Sequence, residues 1–281
     1  MIEHQTAASS RYAHGVARLA WLTDIHLDFV EDDAIRAFGE RIAAEKADVV
    51  LVTGDLSVAP TLVRDMKLLA DGLGQTLRFV LGNHDFYGSD IASVHQLVTA
   101  LTASDPRFEW LGIMEALPLG EHSALIGIDG WGDARLGNAD TTPVLLNDFI
   151  RITDLISSDR DELLAKLRAL GDAEASRARP RLARALERYW HVVVATHVPP
   201  FAEACWHAAS TANADWLPWF TCKAVGDVLL EAAQAHTSAR ITVLCGHTHG
   251  AGSTQILDNL EVHTGAAEYG RPSIQALLDF D

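Results

Sequence analysis

The sequence predicts a layered α/β fold, and three features carry that expectation. Short apolar or β-branched runs alternate along the chain with amphipathic stretches, the pattern of sheets covered by helices. The 281 residues are enough for one large core and few for two, so one domain is expected over residues 18–281, after a flexible N-terminal segment, 1–17. Apolar residues make up 48% and charged residues 21%, a balance that excludes disordered, fibrous and membrane-embedded classes.

Strands are expected at Arg18 to Thr23, Val49 to Thr53 and Leu77 to Leu81. Each is followed by a helical stretch, at about Asp32 to Lys46, Thr61 to Leu73 and Ile91 to Leu101, so the first third reads βαβαβα with connections long enough for parallel crossovers. His122 to Ile128 is the next strand. From about Asn147 to Tyr189 the pattern turns helical and arginine-bearing, with Arg151, Arg160, Arg168, Arg177, Arg179, Arg181, Arg184 and Arg188, and predicts a helical cap inserted at about 147–190. Its arginines read first as a solvated face balanced by Asp and Glu, and otherwise as a face for phosphate or a partner. Val192 to Thr196 and Ile241 to Cys245 return to strand. Ser253 to Leu257, Leu260 to Thr264 and Ser273 to Phe280 close the chain as short strands, which predicts a second, partly antiparallel sheet.

The formal charge of −16 argues against broad attachment to nucleic acid or anionic lipid. No basic segment leads into a long apolar run near the N-terminus, and no run approaches the ~20 residues of a membrane span, so a cytoplasmic protein with no membrane partner is expected. Cys205, Cys222 and Cys245 lack CxxC spacing and read as buried free thiols.

The chemistry sits where the apolar runs stop. Asp24 and His26 follow the first strand, Asp55 the second, and Asn83, His84 and Asp85 the third; His197 ends VVVATH, and His247 and His249 end ITVLCGHTH. Strand ends on one edge of an α/β sheet form a ligand crevice, so these loops are expected to converge. The two-residue spacings Asp24/His26 and His247/His249 put both members on one side of an extended segment. Gly54, Gly82 and Gly246 each precede a proposed ligand and fit a sharp turn or a close approach.

DIH at Asp24 to His26, GD at Gly54 and Asp55, GNHD at Gly82 to Asp85, His197, and GHTH at Gly246 to His249 together resemble the calcineurin-like metallophosphoesterase superfamily. The resemblance spans most of the chain and implies a two-sheet sandwich flanked by helices, in four αββα layers. It implies that Asp24, His26 and His249 hold one metal ion, that Asn83, His197 and His247 hold another, and that Asp55 bridges them. A donor set of carboxylate, amide and imidazole suits two divalent or trivalent transition-metal ions, Mn or Fe first, with Zn, Co or Mg as alternatives. Two such ions would activate a bridging water for attack on phosphorus. His84, which takes no metal in this scheme, is the expected catalytic acid, with Asp85 orienting its imidazole or serving as a turn residue.

GDLSVAP lacks the downstream acid and arginine of the phosphoprotein phosphatases of this superfamily, so a small-molecule or nucleotide-type phosphodiester is the expected substrate. The loop Phe201 to Phe220 should border it, with His207 and Trp206 as binding candidates beside Trp216 and Trp219, or as a hydrophobic plug. Arg135, in a second Gly-rich loop, could bind phosphate or form a surface salt bridge. His4, His14, His95, His122, His191, His236 and His263 are expected to be structural or exposed, with His263 nearest the motifs. A phosphomonoesterase, a nuclease and a non-catalytic scaffold are the alternatives, and an oligomer is compatible with the sequence.

Overall fold

A computed structural model of the chain describes residues 16–207 and 210–281. The N-terminal segment expected to be flexible, with His4 and His14, therefore lies almost wholly outside the described residues.

The elements follow in the order β1 (Ala17–Leu22), α1 (Asp32–Ala44), β2 (Val49–Thr53), α2 (Leu62–Leu73), β3 (Leu77–Val80), α3 (Ile91–Ser104), β4 (Phe108–Trp110), β5 (Leu117–Pro118) and β6 (Ser123–Ile128). They continue with α4 (Asp148–Arg151), α5 (Arg160–Leu186), β7 (His191–Thr196), β8 (Trp206–His207), β9 (Ser210–Thr211), α6 (Leu217–Phe220), α7 (Lys223–Ala235), β10 (Arg240–Cys245), β11 (Gly252–Leu257), β12 (Leu260–Thr264) and β13 (Ala276–Phe280). One sheet has the order β13-β1-β2-β3-β4, parallel except for β13, which runs antiparallel to β1. The other is β11-β12-β10-β7-β6-β5, with a parallel centre and antiparallel strands at both edges.

Period-two alternation makes the sandwich. Leu19, Trp21, Val49 and Leu51 of the first sheet meet Leu125, Val193, Ala195 and Leu244 of the second in one buried layer. The alternate residues face outward: Ala20, Leu22, Val50 and Val52 pack with Ile35, Phe38 and Ile42 of α1 and with Met66 and Leu69 of α2. On the second sheet Ile126, Val192, Val194 and Val243 pack with Leu182 and Ala185 of α5 and with Val225 and Leu229 of α7. Both faces of the central strands are thus covered, which is why these strands read as unbroken apolar runs.

The stretch expected as a helical cap is shared between two clusters. Residues 160–186 form one 27-residue helix: Ala178, Leu182, Ala185 and Leu186 of its C-terminal half join the core over the second sheet, while Leu163, Leu164 and Leu167 of its N-terminal half pack in the cluster of Trp131, Phe149 and Trp219. Most of its arginines are engaged: Arg177 pairs with Glu174, Arg179 with Glu231 and Arg184 with Glu115. Arg181 is buried and donates to the carbonyls of Leu111, Gly112 and Gly127. The short α4 and the residues before it line the cavity at the strand ends, and α5 meets the loop after β6, where Arg135 bonds the Arg168 carbonyl and Asp172. Cys205, Cys222 and Cys245 are buried and free, as expected. No helix among the described residues is long and apolar enough to cross a membrane.

Candidate metal centre

The loops after β1, β2, β7 and β10 are laced together before any side chain is considered. The amides of Asp24, His26 and Leu27 donate to the carbonyls of Gly54, Asp55 and Leu56, and Gly246 donates to His197. Among the described residues seven non-glycine residues have left-handed backbone, and five of them are Asp24, His26, Asp55, His247 and His249. That conformation costs an ordinary residue roughly 1 kcal/mol or more, and its concentration here marks a region where geometry is held against local preference.

The three glycines before the ligand candidates have two different reasons to be there. Gly54 is itself left-handed, at φ +90°. Gly82 and Gly246 are not, but a Cβ on Gly82 would stand 2.2 Å from Asp55 Oδ1, and one on Gly246 2.0 Å from Asp24 Oδ2.

Asp24, His26, Asp55 and His249 bring ligand atoms to within 4.8 Å of one another. His26 Nε2 lies 3.1 Å from His249 Nε2 and 3.8 Å from Asp55 Oδ2, and His249 Nε2 lies 3.4 Å from Asp24 Oδ1. Asp24 is held by the amide of His247, at 3.0 and 3.1 Å to its two oxygens. The second group abuts the first through Asp55, whose Oδ1 is 3.4 Å from His197 Nε2. Asn83 Oδ1 lies 3.0 Å from His197 Nε2 and 2.9 Å from His247 Nδ1.

The second group fits a cation by its proton inventory. His197 Nδ1 faces the carbonyl of Thr53 at 2.9 Å, and His247 Nε2 faces that of Trp219 at 3.1 Å, so each ring carries its proton on the far nitrogen. Burial and the neighbouring His197 push His247 down to about 3, and burial lowers His197 as well, so both rings are neutral. Two imidazole lone pairs then point at an amide oxygen, an arrangement of acceptors with no proton to share and a natural seat for a metal ion. In the first group burial, then the repulsion of other imidazoles, takes His26 down to about 4 against the pull of Asp24. Burial works to raise Asp24, but the His249 hydrogen bond and the surrounding imidazoles outweigh it and keep the carboxylate ionised. Asp55 is pushed upward by burial and by the charges of Asp24 and Asp85, and a cation beside it would relieve that strain.

His84 lies against this centre. Its Nε2 is 4.0 Å from Asp55 Oδ2, its ring stacks on Tyr87 at 4.2 Å, and its amide donates to Asp55 at 2.9 Å. Burial and the nearby His26 push it down to about 2, so the folded chain favours its neutral form. Asp85 does not orient that ring. Its carboxylate accepts from the amides of Leu56, Ser57 and Gly82, bracing the turn that carries Asp55 against the one that carries Asn83.

A cavity of about 330 Å3 opens beside Asp55, Asn83, His247 and His249. His84, Tyr87, Asp148, Leu145, His207, Trp216, Phe220 and Tyr269 also line it. His207 packs against Trp216 at 5.1 Å, with Nδ1 3.2 Å from the Thr248 carbonyl. Tyr269 packs on His26 and His249, at 4.5 and 5.1 Å. Two expected binding residues are not brought to it. Arg135 is paired with Asp133 at 3.0 Å and Asp172 at 2.7 Å, and the Trp206 ring packs against Gly252 of β11, where a Cβ would stand 2.1 Å from it. Trp219 is core, 2% exposed, and reaches the site only through its carbonyl. His263 bonds Ser253 at 2.8 Å and touches no ligand candidate. Asp148, Tyr87 and Tyr269 were not singled out by the sequence, where no motif marks them.

The sequence model of the calcineurin-like phosphoesterase family matches residues 17–251. No curated protein sequence matches the chain. Among solved structures, phosphopantetheinyl hydrolase from Mycobacterium tuberculosis superposes with a TM-score of 0.65 at 14% identity, covering 93% of this chain and 95% of its own. A dimetal phosphatase from Danio rerio gives 0.57 at 12% identity, with 91% and 89% covered. The protein TT1561 of Thermus thermophilus gives 0.53 at 12% identity, with 95% and 99% covered.

Proposed function

Since the chain belongs to the calcineurin-like phosphoesterase family, we propose that it hydrolyses a small phosphodiester at two metal ions, one held by Asp24, His26 and His249, the other by Asn83, His197 and His247, with Asp55 shared. The observation that carries this reading is the convergence of imidazole nitrogens on Asp55 from both sides, His26 Nε2 at 3.8 Å and His197 Nε2 at 3.4 Å. When bound, two transition-metal ions, Mn or Fe foremost, supply Lewis acidity and lower the pKa of water at the site toward neutrality.

The side chains do the rest. Asp55 is fixed by the His84 amide and held from behind by the Asp85-braced turn, so its two oxygens face the two groups without rearranging. His84, neutral and at the cavity wall, offers an N–H to a phosphoryl or departing oxygen. Its role as an acid then depends on a bound anion drawing the proton in. His207, Trp216 and Tyr269 form an aromatic wall suited to a planar or apolar ester group.

The diester preference rests on charge. Among the described residues no Lys or Arg lines the cavity, so little there besides the ions would offset the second charge of a monoester. Most of the long-helix arginines that a nuclease would need for backbone contacts are engaged with acids or carbonyls. The test is hydrolysis of bis(p-nitrophenyl) phosphate and p-nitrophenyl phosphate, with Mn2+ and after chelation. Metal-dependent turnover of the diester, lost in His84→Ala, is expected; turnover of the monoester alone would replace the diester reading, and no turnover of either would favour a scaffold.

A further inference from the structure

Asn83 poses a problem that its own chemistry does not solve. The two ends of an amide are nearly isosteric, and which end faces His197 and His247 decides whether a metal ion can bind there. With no ion present the flipped amide would be the better partner, because its two N–H groups could donate to the lone pairs of His197 Nε2 and His247 Nδ1, now 3.0 and 2.9 Å from Oδ1. The flipped chain would be a closed, metal-refusing state.

Asp148 forbids it. The Asn83 Nδ2 group donates to Asp148 Oδ1 at 2.8 Å, and the Tyr87 hydroxyl donates to the same oxygen at 2.6 Å. Asp148 is 6% exposed and sits in the first turn of α4, outside the strand-end motifs. Were Asn83 to flip, its oxygen would meet a carboxylate, acceptor against acceptor, in a buried setting where such a clash is costly. The same carboxylate places a negative charge one hydrogen bond behind a ligand group whose own members, an amide and two imidazoles, are neutral apart from the shared Asp55.

We propose that Asp148 is a positioning residue that holds Asn83 in its metal-accepting orientation, so that affinity for the second ion is set by α4, an element outside the ligand motifs. The proposal rests on the two-metal reading above.

Titration of metal-free protein with Mn2+ tests it, by calorimetry with melting of the metal-free form alongside. Asp148→Ala is expected to bind the second ion roughly 10- to 100-fold more weakly, with the first ion within about threefold of wild type and no loss of metal-free melting temperature. Asp148→Asn, which keeps an oxygen able to accept from Asn83 and Tyr87, is expected to retain most of the affinity. Equal loss at both sites with a lower metal-free melting temperature would make Asp148 a packing residue and overturn the proposal. Wild-type affinities in Asp148→Ala would overturn it too, while leaving the two-metal reading standing. Wild-type protein that takes up no Mn2+ would overturn that reading and this proposal together.

Discussion

Adding a single methyl group at Gly82 probes the centre without replacing a ligand. The Cβ of Gly82→Ala would stand 2.2 Å from Asp55 Oδ1, 2.5 Å from the Asp55 amide nitrogen and 2.8 Å from His197 Cε1. Ordinary contact begins at 3.4 Å, so the carboxylate oxygen must retreat by about 1.2 Å. Retreat is blocked on one side by the His84 amide, which holds the same oxygen at 2.9 Å. A displacement near 1 Å at reacting groups costs on the order of 100-fold in rate, and overpacking of this kind costs roughly 1–3 kcal/mol in stability. Gly82→Ala should therefore lose about 100-fold or more in kcat/KM toward bis(p-nitrophenyl) phosphate, and metal content should fall while the far-ultraviolet circular dichroism stays that of the wild type. A folded variant with kcat/KM within threefold of wild type would refute the assignment of Asp55 as the shared ligand.

Two further outcomes follow from residues away from the ligands. Burial, and then the Asp129 carboxylate, push Glu174 up to about 7 from its ordinary 4.5. A raised folded pKa means that its contribution is complete below pH ~4.5 and lost as pH rises through about 7, amounting to roughly 3 kcal/mol. Urea unfolding at pH 5 and pH 8 should show Glu174→Gln less pH-dependent than wild type, and identical slopes would contradict this. Arg135→Ala should leave kcat/KM within about twofold while lowering stability by roughly 1–2 kcal/mol, because buried Asp133 loses its cationic partner; a tenfold fall in kcat/KM would show that Arg135 does reach substrate.

How much of this was legible in the sequence depends on whether the cause was local. Val49–Thr53 and Leu260–Thr264 have the expected bounds, the first because a continuous apolar run defines a strand buried on both faces, the second because alternation of apolar and polar residues defines a half-buried one. The motif residues converge as expected because each sits at the end of such a run. β4, only three residues long, and the two-residue strands β5, β8 and β9 gave no periodicity to read. The arginines of α5 pair with acids as the pattern suggested, but the burial of Arg181 was not legible, because the carbonyls of Leu111, Gly112 and Gly127 that take up its protons are brought to it only by the fold. Asp85 illustrates the same limit, its neighbour in sequence being His84 and its partners in space three backbone amides. Asp148 and Tyr269 come from segments that only the fold brings to the cavity.

Two paramagnetic ions that share Asp55 would be spin-coupled, and that coupling reports the sharing directly. Electron paramagnetic resonance of Mn2+-loaded protein, with metal content measured on the same sample, should give about two ions per chain and the spectrum of an exchange-coupled pair, reduced in Asp55→Ala to no more than one uncoupled ion. Wild-type protein holding less than one ion per chain, or two ions that do not couple, would contradict it.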